Sequence, residues 1–342
     1  MKKSPFEENR SLETAIAIYE QRIKDAQAIY QKHKENFLER NCPICSSTLK
    51  INQEDFHQTY KIVKCRACGS VYVNPVPNSE AIEDYYKNCQ CNRMLAELTR
   101  SRSKKFNVDD RVRTISTIIE KSEKQELKIL EVGCSSGLFL QGLQDYLSNH
   151  FPQIKLSVCG IDLDQDAISK SVDNRLNLRC CSAVNLKTTE SEIGTYDLVL
   201  HYELIEHLLD PFQFMMTVKE LLKPGGYSVF TTPNALGAEN LASGYNSRRL
   251  IAHAIFPPMH LNAFSVQNIP LFSYRLGLEI VEISTPGKLD IDMIGKNRDF
   301  LTNESFIAIA DIEDEIVKTY LQQYTVNCLA SSHMQCILRK PL

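Results

Sequence analysis

No apolar run in this 342-residue chain approaches the roughly 18 residues of a membrane-spanning helix, so no bilayer span is expected. The start, Met1-Lys2-Lys3-Ser4-Pro5-Phe6-Glu7-Glu8, turns polar at once and does not read as a secretory leader. Positive charge is not in excess: 39 Lys and Arg against 42 Asp and Glu give a net charge of −3. A global pull toward nucleic acid is therefore not expected. Neither Gly-x-Gly-x-x-Gly nor Gly-Lys-Ser/Thr occurs, which argues against a dinucleotide fold and a phosphate loop. The chain shows no internal repeat and no low-complexity tract. Cysteine, by contrast, is plentiful. Twelve cysteines without an export signal point to a reducing cytoplasm rather than to disulfides.

Charge is distributed unevenly. Residues 1–126 carry 22 basic and 18 acidic side chains, a net of +4, and the remainder carries 17 and 24, a net of −7. The densest basic run is Arg100, Arg102, Lys104, Lys105, Arg111 and Arg113. It reads as a solvated helix face, with a phosphate-binding patch as the alternative.

The most informative stretch is Ile129-Leu130-Glu131-Val132-Gly133-Cys134-Ser135-Ser136-Gly137. An apolar run ends in an acid, then Gly-x-x-x-Gly, and Leu138 to Leu147 follow with helical spacing. This is a buried strand, a tight turn and a helix N-terminus. Glycine there allows turn conformations and lets a ligand lie close to the main chain. About 30 residues on, Leu156 to Asp162 reads as a second strand ending in an acid, and Asp164 as the cap of the next helix. A third run, Tyr196 to His201, leads into Tyr202-Glu203-Leu204-Ile205-Glu206-His207-Leu208-Leu209-Asp210-Pro211. Leu221-Leu222-Lys223-Pro224-Gly225-Gly226 then turns a helix into the strand Ser228 to Thr232.

In this order the motifs resemble those of the class I S-adenosylmethionine (SAM)-dependent methyltransferases: E-x-G-x-x-x-G, the second acid, a "FDLV…E-x-x-EH-x-x-DP" segment and an "LLKPGG" turn. The resemblance covers residues 127–342. It implies a Rossmann-like α/β fold, SAM as cofactor and S-adenosylhomocysteine as product. It places the ribose hydroxyls on Asp162 and further cofactor contacts on Glu131, Gly133, Cys134, Gly137, Leu163, Ser182, Ala183 and His201. One departure stands out: where the family often has an acid for the adenine amino group, this chain has Cys181-Ser182-Ala183. Ser182 offers a hydrogen bond there without a charge.

The second strong pattern is Cys42-Pro43-Ile44-Cys45, a 19-residue gap, then Cys65-Arg66-Ala67-Cys68. Paired C-x-x-C turns at this spacing read as a tetrahedral Zn²⁺ site in a zinc ribbon. Four thiolates close the coordination shell, so the metal is expected to be structural. Cys89 and Cys91 read as free thiols, and the remaining cysteines as small apolar residues in strand-like runs.

The chain divides into an N-terminal helix within 1–40, the ribbon at 41–78, a helical connector at 79–126 and the methyltransferase domain at 127–342. Strands alternate with helices there, which implies a mostly parallel sheet. Gly277 to Ile283 reads as the sixth strand and His333 to Leu338 as a last, antiparallel one. The stretch 235–262 is a candidate lid. The stripe Ile16, Tyr19, Ile23, Ala26, Tyr30 and Phe37 packs on its own body or, alternatively, pairs two copies of the chain.

For a hydroxyl acceptor, methyl transfer requires loss of a proton, and a base with a pKa near the working pH favours histidine. The candidates are His207, beside Glu206, which can orient it; His260, just after the lid; His201, at the end of the fourth strand; and His253, inside the lid. Tyr202 is expected beside the acceptor or the methionine part of SAM. The leading expectation is methylation of a hydroxyl, less readily of carbon or nitrogen, on a small polar metabolite such as a nucleotide-linked sugar or natural-product intermediate. The alternatives are an RNA methyltransferase that grips phosphate with the ribbon and the basic run, and a protein that keeps the fold without catalysis. Against RNA stand the acidic balance and the lack of an Asn-Pro-Pro-Tyr-like segment.

Overall fold

The computed structural model describes residues 11–94, 110–122, 124–171, 173–183, 192–246 and 254–342. The front end is a long helix, Leu12–His33, capped by the Ser11 hydroxyl, which accepts from the Thr14 N–H at 3.2 Å. Its apolar side meets the ribbon. Ala26 is buried against Phe56 and Tyr60, with Tyr19, Ile23, Tyr30 and Phe37 around them. The ribbon has three antiparallel strands, β1 (Lys50–Phe56), β2 (Tyr60–Cys65) and β3 (Val71–Val73). The helix Ser79–Asn88 follows, started by the Asn78 side chain.

The larger sheet contains β4 (Glu126–Val132), β5 (Lys155–Asp162), β6 (Asn177–Cys180), β7 (Tyr196–Tyr202), β8 (Leu222–Pro233), β10 (Glu279–Ser284) and β11 (His333–Arg339). Its order is β10-β11-β8-β7-β4-β5-β6. The inner strands pair in parallel, and β11 runs antiparallel to both β8 and β10, as the sequence led us to expect. The central strand β7 is buried along almost its whole length, as a parallel strand covered on both faces must be. Between β7 and β8 runs the helix Pro211–Leu221. Asp210 caps it and Pro211 opens it, where a missing N–H costs nothing.

The ribbon is built into this body. Asn262–Ala263 forms β9 and pairs antiparallel with β3, so a fourth ribbon strand comes from a segment about 190 residues away in sequence. Within 235–262 the described residues 254–258 are buried. Ala254, Ile255 and Phe256 are each about 1% exposed, and the Phe256 ring meets Phe56 at 5.0 Å. His253 and the basic residues Arg100, Arg102, Lys104 and Lys105 lie outside the described residues.

Arg40 locks the two sheets together. Its Nε donates to the Val73 carbonyl at 3.1 Å, Nη1 to that of Leu209 at 3.0 Å and Nη2 to that of Leu261 at 2.9 Å. Its guanidinium also lies over the Tyr72 ring at 5.4 Å. Burial pulls the group down to about 10, which leaves it charged at neutral pH.

Arg40→Met removes every one of these donors; the Leu261 carbonyl keeps the Val73 N–H at 3.0 Å, while the Val73 and Leu209 carbonyls lose the guanidinium. At roughly 1–3 kcal/mol per unsatisfied buried group, urea unfolding is expected to show a loss of about 3 kcal/mol, with the ribbon cut faster by protease. A loss below about 0.5 kcal/mol would mean that water replaces the guanidinium.

Candidate active site

The turn after β4 is shaped by three residues with positive φ: Gly133 at 83°, Ser135 at 50° and Gly137 at 76°. The Gly133 and Cys134 N–H groups donate to the Ile161 carbonyl at 2.8 and 3.1 Å, which ties the turn to β5. Two glycines are required by space as well. A Cβ on Gly137 would stand 2.9 Å from Leu178, and one on Gly160 would stand 2.7 Å from both Cys134 Sγ and Leu178. Asp162 closes the same corner. Its Oδ2 accepts from the Ser135 N–H at 2.7 Å and its Oδ1 from the Asp164 N–H at 2.8 Å. A carboxylate has further lone pairs, so Asp162 is both oriented and able to accept from a ligand. Asp164 caps the helix Gln165–Ser169, as expected.

Three features fit a nucleoside with a positively charged tail. Leu163, beside Asp162, is 61% exposed and offers an apolar surface to a base. Ser182 and Ala183 are half-buried just after Cys181, whose N–H donates to the Asp162 carbonyl at 2.8 Å. Glu131 is 4% exposed, and its Oε2 has no hydrogen-bond partner among the described residues. Burial pushes its carboxyl up to about 8, with Arg111 pulling the other way. An inward acceptor with nothing to accept suits a ligand that donates.

A cavity of about 430 Å³ lies at the carboxyl ends of β7 and β8, where open α/β sheets take their ligands. Tyr202, Glu203, Thr231 and Glu239 line one part of it, and Lys288, Asp290 and His333 another. Arg111 reaches in from the helix Asp110–Glu120. Its guanidinium lies 4.3 Å from the Phe139 ring centre and 5.0 Å from that of Tyr202. Tyr202 thus lines the cavity. Arg111 was read only as part of a basic run; nothing in its local sequence marked it.

Three residues chosen from sequence come together beyond the cavity. Glu206 and His207 lie in a 3₁₀ turn, Ile205–His207, which ends four residues before the helix begins at Pro211. Glu206 is fully buried. Its Oε2 accepts from the Thr232 hydroxyl at 2.9 Å, and burial together with the charge of Glu203 holds its carboxyl well above the ordinary range. His207 Nε2 is 3.8 Å and His260 Nε2 4.0 Å from Glu206 Oε1, and the two rings meet edge to face at 4.6 Å. His207 Nδ1 faces the Met259 carbonyl at 3.1 Å and the Tyr86 hydroxyl at 3.0 Å. A carbonyl only accepts, so in the neutral ring the proton sits on Nδ1 and the lone pair on Nε2. Burial pulls His207 down to about 4, opposed by the carbonyls of Met259 and Glu203. Tyr86 and Thr232 carried no sequence signal.

His201 lies apart from this group. It is fully buried and stacks on Phe230 at 4.7 Å and 9°, with Phe214 edge-on at 5.1 Å. Its side chain thus faces the layer under the helix Pro211–Leu221, where it serves the core. Burial alone pulls it down to about 3.

The four cysteines converge as the spacing required. Cys42 and Cys68 sulfurs are 3.6 Å apart, those of Cys45 and Cys65 3.5 Å apart, and all four lie within 4.8 Å of one another. Sulfurs of a tetrahedral site with Zn–S near 2.3 Å stand about 3.8 Å apart, so the set fits the ion with little movement. Cys42 and Cys65 belong to the same apolar cluster as Leu130, Val199 and Phe230 of the large sheet. Cys89 and Cys91 are buried near Arg22, whose Nε is 3.2 Å from Cys91 Sγ.

This strand order, with a glycine turn after β4 and an acid ending β5, defines a Rossmann-like methyltransferase sheet. The profile of the methyltransferase-domain family matches residues 100–283, more than half of the chain, and the chain belongs to that family. Among curated relatives, it is 29% identical over 138 residues to the mitochondrial ubiquinone biosynthesis O-methyltransferase of Bos taurus, covering 38% of this chain and 35% of that protein. It is 30% identical over 112 residues to the Caulobacter vibrioides ubiquinone biosynthesis O-methyltransferase, covering 32% and 41%. The matches thus span less than half the length of these relatives. A solved SAM-dependent methyltransferase of Archaeoglobus fulgidus is similar at 17% identity and a TM-score of 0.42, covering 72% of this chain and 99% of that one.

His201 yields a test of acid stability. Its pKa is lowered in the folded state, so the unfolded chain binds the extra proton. Stability is then complete above about 6.5 and is lost as pH falls toward about 3. His201→Phe keeps the stacked ring and removes the titration. The unfolding free energy of this variant is expected to fall less between pH 7 and pH 5 than that of the wild type, whose slope from this residue reaches about 1.4 kcal/mol per pH unit. Equal slopes would show that His201 is protonated in the fold.

Proposed function

We propose that the chain transfers the methyl group of SAM to a hydroxyl of a small polar molecule. Carbon and nitrogen acceptors rank below oxygen, and a nucleotide-linked sugar or natural-product intermediate is the acceptor class we favour. The observation that carries this reading is the glycine turn, completed by Asp162, together with a cavity of about 430 Å³ at the carboxyl end of the same sheet. That volume lies in the range of small-molecule sites. Methylation of oxygen is also what the names of the ubiquinone relatives, O-methyltransferases, state of those proteins. SAM supplies an electrophilic methyl group on a sulfonium.

The chain's own part is to bind, orient and deprotonate. The turn from Gly133 to Gly137 lets the ligand lie against the backbone, and Asp162 receives the ribose hydroxyls. Much of the rate comes from holding the acceptor in line. For the proton, His207 is the better of the two candidates. Its Nδ1 proton is fixed by the Met259 carbonyl, which turns the Nε2 lone pair toward Glu206 and His260. The histidine group is close to the cavity in sequence: Glu203 and Thr231 line the cavity, while Glu206 and Thr232 belong to the histidine group.

We further propose that Cys42, Cys45, Cys65 and Cys68 hold one structural Zn²⁺ away from the reaction. The small ribbon gains folding energy from such an ion. Among the described residues no helix is long and apolar enough to cross a membrane. The RNA reading gains nothing from Arg111, which is held between rings at the cavity, or from Arg113, which pairs with Asp110 at 3.3 Å.

Purified protein, methyl-labelled SAM and a cell extract containing small molecules and RNA test this reading. Label in small, nuclease-resistant compounds is expected; label in large, nuclease-sensitive material would overturn it. His207→Ala is expected to lower turnover by about 10²–10⁴ while SAM affinity stays within twofold. Unchanged turnover would remove His207 from the reaction.

A further inference from the structure

Glu206 Oε1 is buried and has no hydrogen-bond partner among the described residues, although Oε2 is anchored by Thr232. Two imidazole nitrogens face it, at 3.8 Å from His207 and 4.0 Å from His260, too far for hydrogen bonds. One ligand atom from each of the three residues lies within 4.8 Å of the others. We propose that Glu206, His207 and His260 form a second metal site, separate from the four cysteines, for one divalent transition-metal ion.

The donors are already prepared for this. A metal-binding histidine commonly donates its other N–H to a backbone carbonyl, which fixes the lone pair toward the ion. His207 is arranged in this way by Met259. The carboxylate is likewise held from behind by the Thr232 hydroxyl. Donors sharing an ion at about 2.0–2.2 Å stand roughly 3.0–3.5 Å apart, so closing the site requires each histidine to approach Glu206 by roughly 0.3–1 Å. Two imidazoles and one carboxylate suit Zn²⁺, Co²⁺, Fe²⁺ or Mn²⁺ and leave coordination positions open, whereas Ca²⁺ and Mg²⁺ call for a shell of oxygens.

The location gives the ion a second consequence. Glu206 and His207 follow β7, Thr232 is the next-to-last residue of β8, and His260 lies two residues before β9, the strand shared with the ribbon. An ion there ties the large sheet to the segment that carries the ribbon edge. Occupied, the site also changes the role of the two histidines under the proposed reaction. Their lone pairs would be taken by the ion, which would supply Lewis acidity to any hydroxyl brought to it. The site itself rests on this geometry and not on the methyl-transfer reading.

The test is a titration of the full chain, with zinc on its cysteines, by Co²⁺ alone. Bound metal is counted by mass spectrometry, and visible absorption is recorded. The wild type is expected to take one Co²⁺ beyond the zinc, with d–d bands and no thiolate charge-transfer band. Thr232→Val is expected to weaken that ion by about 10–100-fold, and His260→Ala by at least as much, with the zinc count unchanged. No second ion at millimolar Co²⁺, or equal affinity in His260→Ala, overturns the site. Should a variant fail to fold by circular dichroism, the wild-type ion count and the absence of sulfur bands still decide the question.

Discussion

One buried guanidinium holds the ribbon to the methyltransferase sheet. Arg40 stands two residues before the first ribbon cysteine, yet its three donors reach carbonyls in β3, after β7 and before β9. Those last two partners, Leu209 and Leu261, flank the histidine group: Leu209 lies two residues after His207, and Leu261 directly follows His260. The Leu261 N–H also donates to the Glu206 carbonyl at 2.8 Å. A lysine there would supply a point charge but not the planar fork that meets separate carbonyls at once. The positions of His207 and His260 relative to Glu206 therefore depend on a residue of the front end.

This dependence makes the ribbon part of the body that carries the histidine group. β9 adds a backbone ladder, and Arg275 adds a second polar clamp, donating to the Ser46 hydroxyl at 2.7 Å and to the Ile44 carbonyl. The cysteine turns thereby sit against the helix Ile269–Leu276. Zinc there, though remote from the methyl group, would brace the ribbon on which the histidine loop rests.

What the sequence disclosed and what it hid follow one physical distinction. The glycine turn, Asp162 and the cysteine pairs are local patterns: each needs its residues within a few positions, because a turn or a chelating loop is itself local. They could be read directly, and so could the sheet, whose buried strands and intervening helices alternate regularly. The convergence of Glu206 with His260 joins positions 54 residues apart, and the Tyr86 contact spans 121. No periodicity encodes such meetings. His201 misleads for a related reason: its place at the end of β7 is visible in the sequence, but the face its side chain takes depends on the Phe230 and Phe214 rings. Arg40 and Arg111 look like ordinary surface cations until the fold buries one and stacks the other.

The central claim is that the turn from Gly133 to Gly137, closed by Asp162, is a SAM site. Isothermal titration calorimetry of the full chain with SAM tests it most directly. The account expects one saturable site per chain and a loss of at least about tenfold in affinity in Asp162→Ala, near 1.4 kcal/mol. A folded wild-type protein that binds no SAM, or an Asp162→Ala variant that binds it equally well, would contradict the account.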